Sequence, residues 1–281
     1  MLCPNHKKDM SLHNRILYID YAKSIALFLV VFAHLYSADS DVRKYIYAFH
    51  MPFFFIVSGM LHKDYDSKDL LLKMSKSLLI PFCFFLFIGY VFNAIWYGGL
   101  WGGGIVGSIK GIILGSKISA NPVLWFLLAL FFVRVVGNMM IKRPLLLIVG
   151  YVPLFMAFNL FKINYFFIGS ALMALPFYVV GHYAYPLITN ILKWHLRPML
   201  AFLLLLLTIV ISNYNGKVSM YAVIYGNSDS HLLNMLLFYL NGFIGSMMLL
   251  CLVGGGEKNN KDWDSPLKKR DKYSRYAIHS I

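Results

Sequence analysis

Long apolar runs alternate with short polar connectors along this chain. The runs fall at about 19–38, 45–62, 77–97, 123–140, 144–161, 165–185, 197–213 and 232–253. Each is close to the roughly 20 residues a helix needs to cross a bilayer. Backbone polar groups in lipid must be satisfied within the segment, so such runs predict helices. The expected fold is all-α, a polytopic transmembrane bundle of about eight spans. A ninth run, 103–116, is short and about half glycine and serine, which predicts a partial or re-entrant helix. Gly99, Gly103, Gly107, Gly111 and Gly115 recur there at every fourth residue. On a helix that spacing makes a smooth ridge, suited to close packing or to a flat ligand. Between spans seven and eight, "NYNGKVSMYAVIYGN" brings a turn signal at Asn215-Gly216 and reads as a small external hairpin or cap.

Composition agrees with the pattern. Of 281 residues, 59% are hydrophobic and 14% charged, and mean hydropathy is +0.64. These values exclude a soluble domain. A net charge of +14 first suggests nucleic acid. The charges, however, sit between and beyond the apolar runs, and no nucleic-acid partner is expected. With the N-terminus inside, 18 Lys and Arg fall on the cytoplasmic side and 6 outside, leaving Lys23 and Arg134 within spans. A full crossing by 103–116 would erase that bias. Both termini are therefore expected in the cytoplasm, with the chain in the cell membrane. Met1 to Asn14 lacks the apolar core of a cleaved signal, so the first run reads as an uncleaved anchor. Cys3, Cys83 and Cys251 form no CxxC pair; neither a disulfide framework nor a metal site is expected.

Ionisable groups inside spans carry the chemical signal, because placing one in hydrocarbon costs about 2.5–3.5 kcal/mol on insertion scales. The first span, "YIDYAKSIALFLVVFAHLYS", holds Asp20, Lys23 and His34. Asp20 and Lys23 are three apart and can pair, which alone accounts for both. His34 comes eleven residues after Lys23, on nearly the same face and roughly 16 Å along. It is either a hydrogen-bonded structural histidine or part of a functional stripe. The second span, "YAFHMPFFFIVSG", embeds His50, Pro52 and Ser58, with Pro52 expected to open the helix locally. Arg134 either snorkels towards Lys142 and Arg143 or binds an anion. His182 reads as interfacial.

"DYAKSIALFLVVFAH", then "FHMPFFFIVSG", then "LWFLLALFF" at 124–132 resemble, in that order, the membrane acyltransferase 3 family, most closely its fucose O-acetylase-like branch. The resemblance spans about residues 14–250. It implies acetyl transfer from acetyl-CoA to a hydroxyl of a cell-surface sugar or lipid-linked saccharide, with no bound cofactor. It also implies His34 and His50 as catalytic, with His34 matching the essential histidine. Lys23 is implied as the basic donor-binding partner, with Ser58 and Trp125 as supporting residues; Asp20, as the partner of Lys23, and Arg134, as a second donor-binding candidate, are added on the residues alone.

Past Val253 the pattern breaks. Residues 254–281 carry seven basic and four acidic residues and no span-length run. They are expected to form a polar, solvated cytoplasmic tail beside a membrane domain of residues 1–253. Relatives in the family usually continue with two further hydrophobic helices, so a shortened or frameshifted chain is the expectation. Two other readings stay open: a transporter or flippase-like protein that uses the polar stripe as a pathway, and a non-catalytic remnant. Transporters commonly carry internal repeats, and the first-span motif has no counterpart in the second half.

Overall fold

The computed structural model describes residues 17–37, 40–96, 104–116, 118, 121–143, 145, 147–160, 164–216, 220 and 231–254. The tail beyond 254, most of the expected hairpin, Cys3, Gly99 and Gly103 lie outside the described residues. Among the described residues the structure is helical and contains no strand.

The helices are α1 (Leu17–His34), α2 (Asp41–Tyr47), α3 (His50–Met60), α4 (Ser67–Met74), α5 (Ile80–Trp96), α6 (Gly104–Leu114), α7 (Trp125–Lys142), α8 (Val152–Leu160), α9 (Ile168–Tyr183), α10 (Tyr185–Leu192), α11 (Arg197–Asn215) and α12 (His231–Val253). Six helical segments are long and apolar enough to cross a membrane. Every predicted apolar run is helical, but two are short. The fifth comprises a π turn, Leu147–Tyr151, and α8. The second is divided between α2 and α3. At 11 residues, α3 is about 16 Å long, near half the roughly 30 Å hydrocarbon thickness. The third run starts earlier than expected, at Ser67, with α4 passing through a π turn at Ser75–Leu79 into α5.

Pro52 does not open a helix. It lies in the first turn of α3, where an N–H has no intrahelical partner to lose. The break falls earlier, at Phe49, whose backbone leaves the helical region at φ −132°.

The short helix α3 sits at the centre, buried on nearly every side, and packs most extensively on α9. Two glycines set that crossing. A Cβ on Gly59 would lie 1.9 Å from the Tyr178 carbonyl oxygen, and one on Gly181 would lie 2.1 Å from that of Ile56. Only backbone against backbone fits, the small-residue device of membrane helix pairs. α11 and α12 form the other close pair, tied inside by a 2.8 Å hydrogen bond from Asn241 Nδ2 to Ser212 Oγ.

The glycine run serves packing. Ser108 and Gly111 on α6 are buried, and the helix rests against the turn Tyr165–Phe167. Gly115 ends it at φ +59°, where Ser116 N–H donates to Gly111 O at 2.8 Å. Its carbonyl accepts from Asn164 Nδ2, also at 2.8 Å.

Candidate functional site

One end of the bundle gathers both candidate catalytic histidines. His34 is the last residue of α1 and His50 the first of α3, so the turn through α2 returns the chain alongside itself. α2 is held to α11 by hydrogen bonds from Lys44 Nζ (2.7 Å) and Tyr45 Oη (3.0 Å) to Asn213 Oδ1.

Each imidazole uses the same device. His34 Nδ1 lies 2.7 Å from Val30 O, and His50 Nδ1 lies 2.9 Å from Ile46 O, each one turn back. A carbonyl only accepts, so Nδ1 carries the proton in both and Nε2 is left as the basic nitrogen of the neutral ring. Tyr47 stands between them. Its hydroxyl is 3.3 Å from His34 Nε2 and donates to it. Its ring centroid lies 5.9 Å from that of His34 and 4.8 Å from that of His50. Arg43 covers the Tyr47 ring at 4.7 Å. His50 is buried, whereas His34 is exposed. The accessible Nε2 is therefore that of His34. Sequence patterning alone misses Tyr47; its only signal there is an aromatic residue three positions before His50.

Lys23 and His34 do share a stripe. Ala22, Ala26, Val30 and Ala33 form the buried face of α1, and Lys23 and His34 border it. Lys23 Nζ is 3.5 Å from Asp20 Oδ1, the pairing their spacing predicted.

The opposite end holds a second polar cluster. His62, just past α3, has Nδ1 2.6 Å from Tyr178 Oη and Nε2 3.2 Å from Asp64 Oδ1. The carboxylate accepts from Nε2–H, so Tyr178 donates to Nδ1. The His182 ring meets the His62 ring edge-on, 4.9 Å between centroids. It is buried in that contact, one residue before the end of α9. Arg134 faces the Tyr178 hydroxyl, and its Nε is buried without a partner. Its charge acts on Tyr178 and also on Tyr65, the residue that Lys142 bonds. Lys142 Nζ donates to Tyr65 O at 2.6 Å, and Asn138 Nδ2 to the same oxygen at 3.3 Å. Lys73 hydrogen-bonds the Tyr65 hydroxyl, and that bond, helped by the positive charges of Lys73, Lys63 and Arg134, holds the phenol below its usual range.

Ser58 lies one turn before His62, its hydroxyl buried and unpartnered. Trp125 is buried at the start of α7 against Phe167, ring centroids 6.4 Å apart. Lys23 and Arg134, the two candidate donor-binding cations, belong to different clusters: Lys23 pairs with Asp20, and Arg134 faces Tyr178. An open apolar groove lined by Leu72, Lys76, Cys83 and Phe87 lies along α4 and α5 and contains none of these residues. No cluster among the described residues has a metal-binding ligand set, and Cys83 and Cys251 are free.

The class this defines is a multi-pass helical membrane protein with a buried polar interior and an imidazole presented at one end. The chain belongs to the acyltransferase 3 family: that family's model, described as an acyltransferase domain, matches residues 16–274. The match takes in Lys23, His34, His50 and Trp125, and runs on into the segment expected to be a polar tail. No curated protein matches the chain, and no solved structure does.

Proposed function

We propose that this protein is an O-acetyltransferase of the cell membrane, moving acetyl from acetyl-CoA to a hydroxyl of a cell-surface sugar or lipid-linked saccharide. The observation that carries the reading is the fixed His34 tautomer, with an exposed, unprotonated Nε2 in a chain of this family. The acceptor hydroxyl gives its proton to Tyr47 Oη as Tyr47's own proton passes to His34 Nε2, the base. The acceptor oxygen attacks the thioester carbonyl, the C–S bond breaks, and the CoA thiolate leaves with the proton His34 had taken. Tyr47 holds the His34 ring and separates it from His50, which lines the acyl site.

In the orientation that puts more Lys and Arg inside, the His62 end faces the cytoplasm and admits the donor. Lys23, on the stripe below His34, attracts the donor's anionic half. Lys23→Ala should then raise the apparent KM for acetyl-CoA several-fold with kcat little changed, measured on membranes. A shift confined to the acceptor KM would remove Lys23 from the donor site. Tyr47→Phe should lower kcat several-fold at unchanged donor KM, since the ring stays and only the hydroxyl at Nε2 is lost.

The transport reading meets no supporting feature in the helix order, where the turn joining His34 to His50 is not repeated among the described residues. A membrane assay with acetyl-labelled CoA separates the two: a carrier leaves the label on CoA.

A further inference from the structure

We propose that the polar cluster at the His62 end is a phosphate site, in which Arg134, beside Tyr178, receives the diphosphate of the acyl donor. The proposal rests on the acetyl-CoA reading and adds to Lys23 a second cation, outside the Lys23–His34 stripe, for the donor's anionic half.

Two facts about the cluster point to a ligand. First, two hydrogen-bond donors there are unmet: Arg134 Nε and Ser58 Oγ are buried without a partner. Phe54 and Phe55 both pack on Phe126, with ring centroids 5.7 and 5.2 Å apart, so side chains of α3 and α7 meet here. Further along the same two helices stand Ser58 and Arg134.

Second, the surroundings are graded in charge. Arg134 is the deep cation. Lys73 and Lys142 stand at the exposed rim, both fixed on Tyr65. Asp64 is the carboxylate in contact with the cluster; it is exposed and already occupied by His62. Asp66 and Asp69 lie further out, on the loop and the first turn of α4. A guanidinium with a free Nε–H suits a bidentate phosphate contact.

The architecture keeps Arg134 in place. Its neighbour Tyr178 is locked by two glycines: Gly59 lies under its carbonyl, and a Cβ on Gly137 would come within 2.5 Å of its ring. Tyr178 donates to His62 and His62 donates to Asp64, so these bonds run in one direction, and Arg134 lies near the Tyr178 oxygen. From His62 back to His50 is about 18 Å along α3, a span suited to an extended thioester-bearing arm.

The test is binding, not turnover. The full chain is placed in phosphatidylcholine nanodiscs, and CoA and inorganic pyrophosphate are titrated calorimetrically. Wild type should bind CoA, and Arg134→Gln should bind it at least tenfold more weakly. Tyr178→Phe should show a smaller loss in the same direction and serves if Arg134→Gln is not monodisperse. Equal CoA affinity in wild type and both monodisperse variants would overturn the site and leave acetyl-CoA as the donor. Arg134-dependent pyrophosphate binding without CoA binding would keep the phosphate site and sink the acetyl-CoA reading. A lipid headgroup offers the same chemistry: loss of CoA binding when phosphatidic acid is added to the discs would assign the site to lipid and overturn the donor assignment.

Discussion

Replacing His34 by Ala is expected to abolish acetyl transfer while leaving the protein inserted and monodisperse. A positioned general base contributes roughly 10²- to 10⁴-fold, or about 3–5 kcal/mol of barrier, so kcat should fall by that range. The fold gives no reason for collapse. His34 ends α1, is exposed, and bonds only one turn back to Val30 and across to Tyr47. His50→Ala should behave differently. His50 is buried at the start of α3, so its loss leaves a cavity and lowers thermal stability along with activity. Comparing kcat and melting temperature of the two variants separates the roles. Full activity in His34→Ala would rule out His34 as the general base.

Gly59→Ala is expected to be the most damaging conservative change at the crossing of α3 and α9. Its Cβ would sit 1.9 Å from the Tyr178 carbonyl oxygen and 3.1 Å from the His182 nitrogen. Those are backbone atoms of a packed helix and have no rotamer to change. Ordinary overpacking costs about 1–3 kcal/mol; separating two helices at their tightest crossing should exceed that. The displacement also draws Tyr178 off His62 and Arg134, so stability and donor binding fall together. Gly150→Ala is the control, since a Cβ there meets nothing within 4 Å. Melting curves in detergent should show a marked loss for Gly59→Ala and none for Gly150→Ala. A Gly59→Ala protein as stable as wild type would mean α3 and α9 do not cross there.

How much of this is legible in the sequence depends on the range of the interaction. The apolar runs predict the helices, because lipid leaves the backbone no alternative. The Asp20–Lys23 pair and the common stripe of Lys23 and His34 follow from helical period alone, and the structure keeps both. The break at Phe49 is not legible, since "YAFHMPFFFIVSG" is apolar enough to read as one span. Pro52 draws attention to the wrong place, because a proline two residues into a helix looks the same in sequence as one in its middle. Arg134 points towards Lys142 and Arg143 in sequence; its nearness to Tyr178 is not legible there. His62 and Tyr178, 116 residues apart, become partners only through the glycine crossing of α3 and α9. The "SG" of the second motif looks chemical. Gly59 proves to be a packing residue whose chemical effect runs through Tyr178.

Acyl transfer itself is the central claim, and the fate of the acetyl group tests it most directly. Membranes carrying the chain, and membranes carrying His34→Ala, are incubated with acetyl-labelled CoA, and label on CoA is separated from label on membrane saccharide. The predicted result is label in base-labile ester linkage to saccharide hydroxyls with the wild-type chain, with free CoA released in equal amount, and neither with His34→Ala. Label that stays on CoA with both chains would contradict acyl transfer.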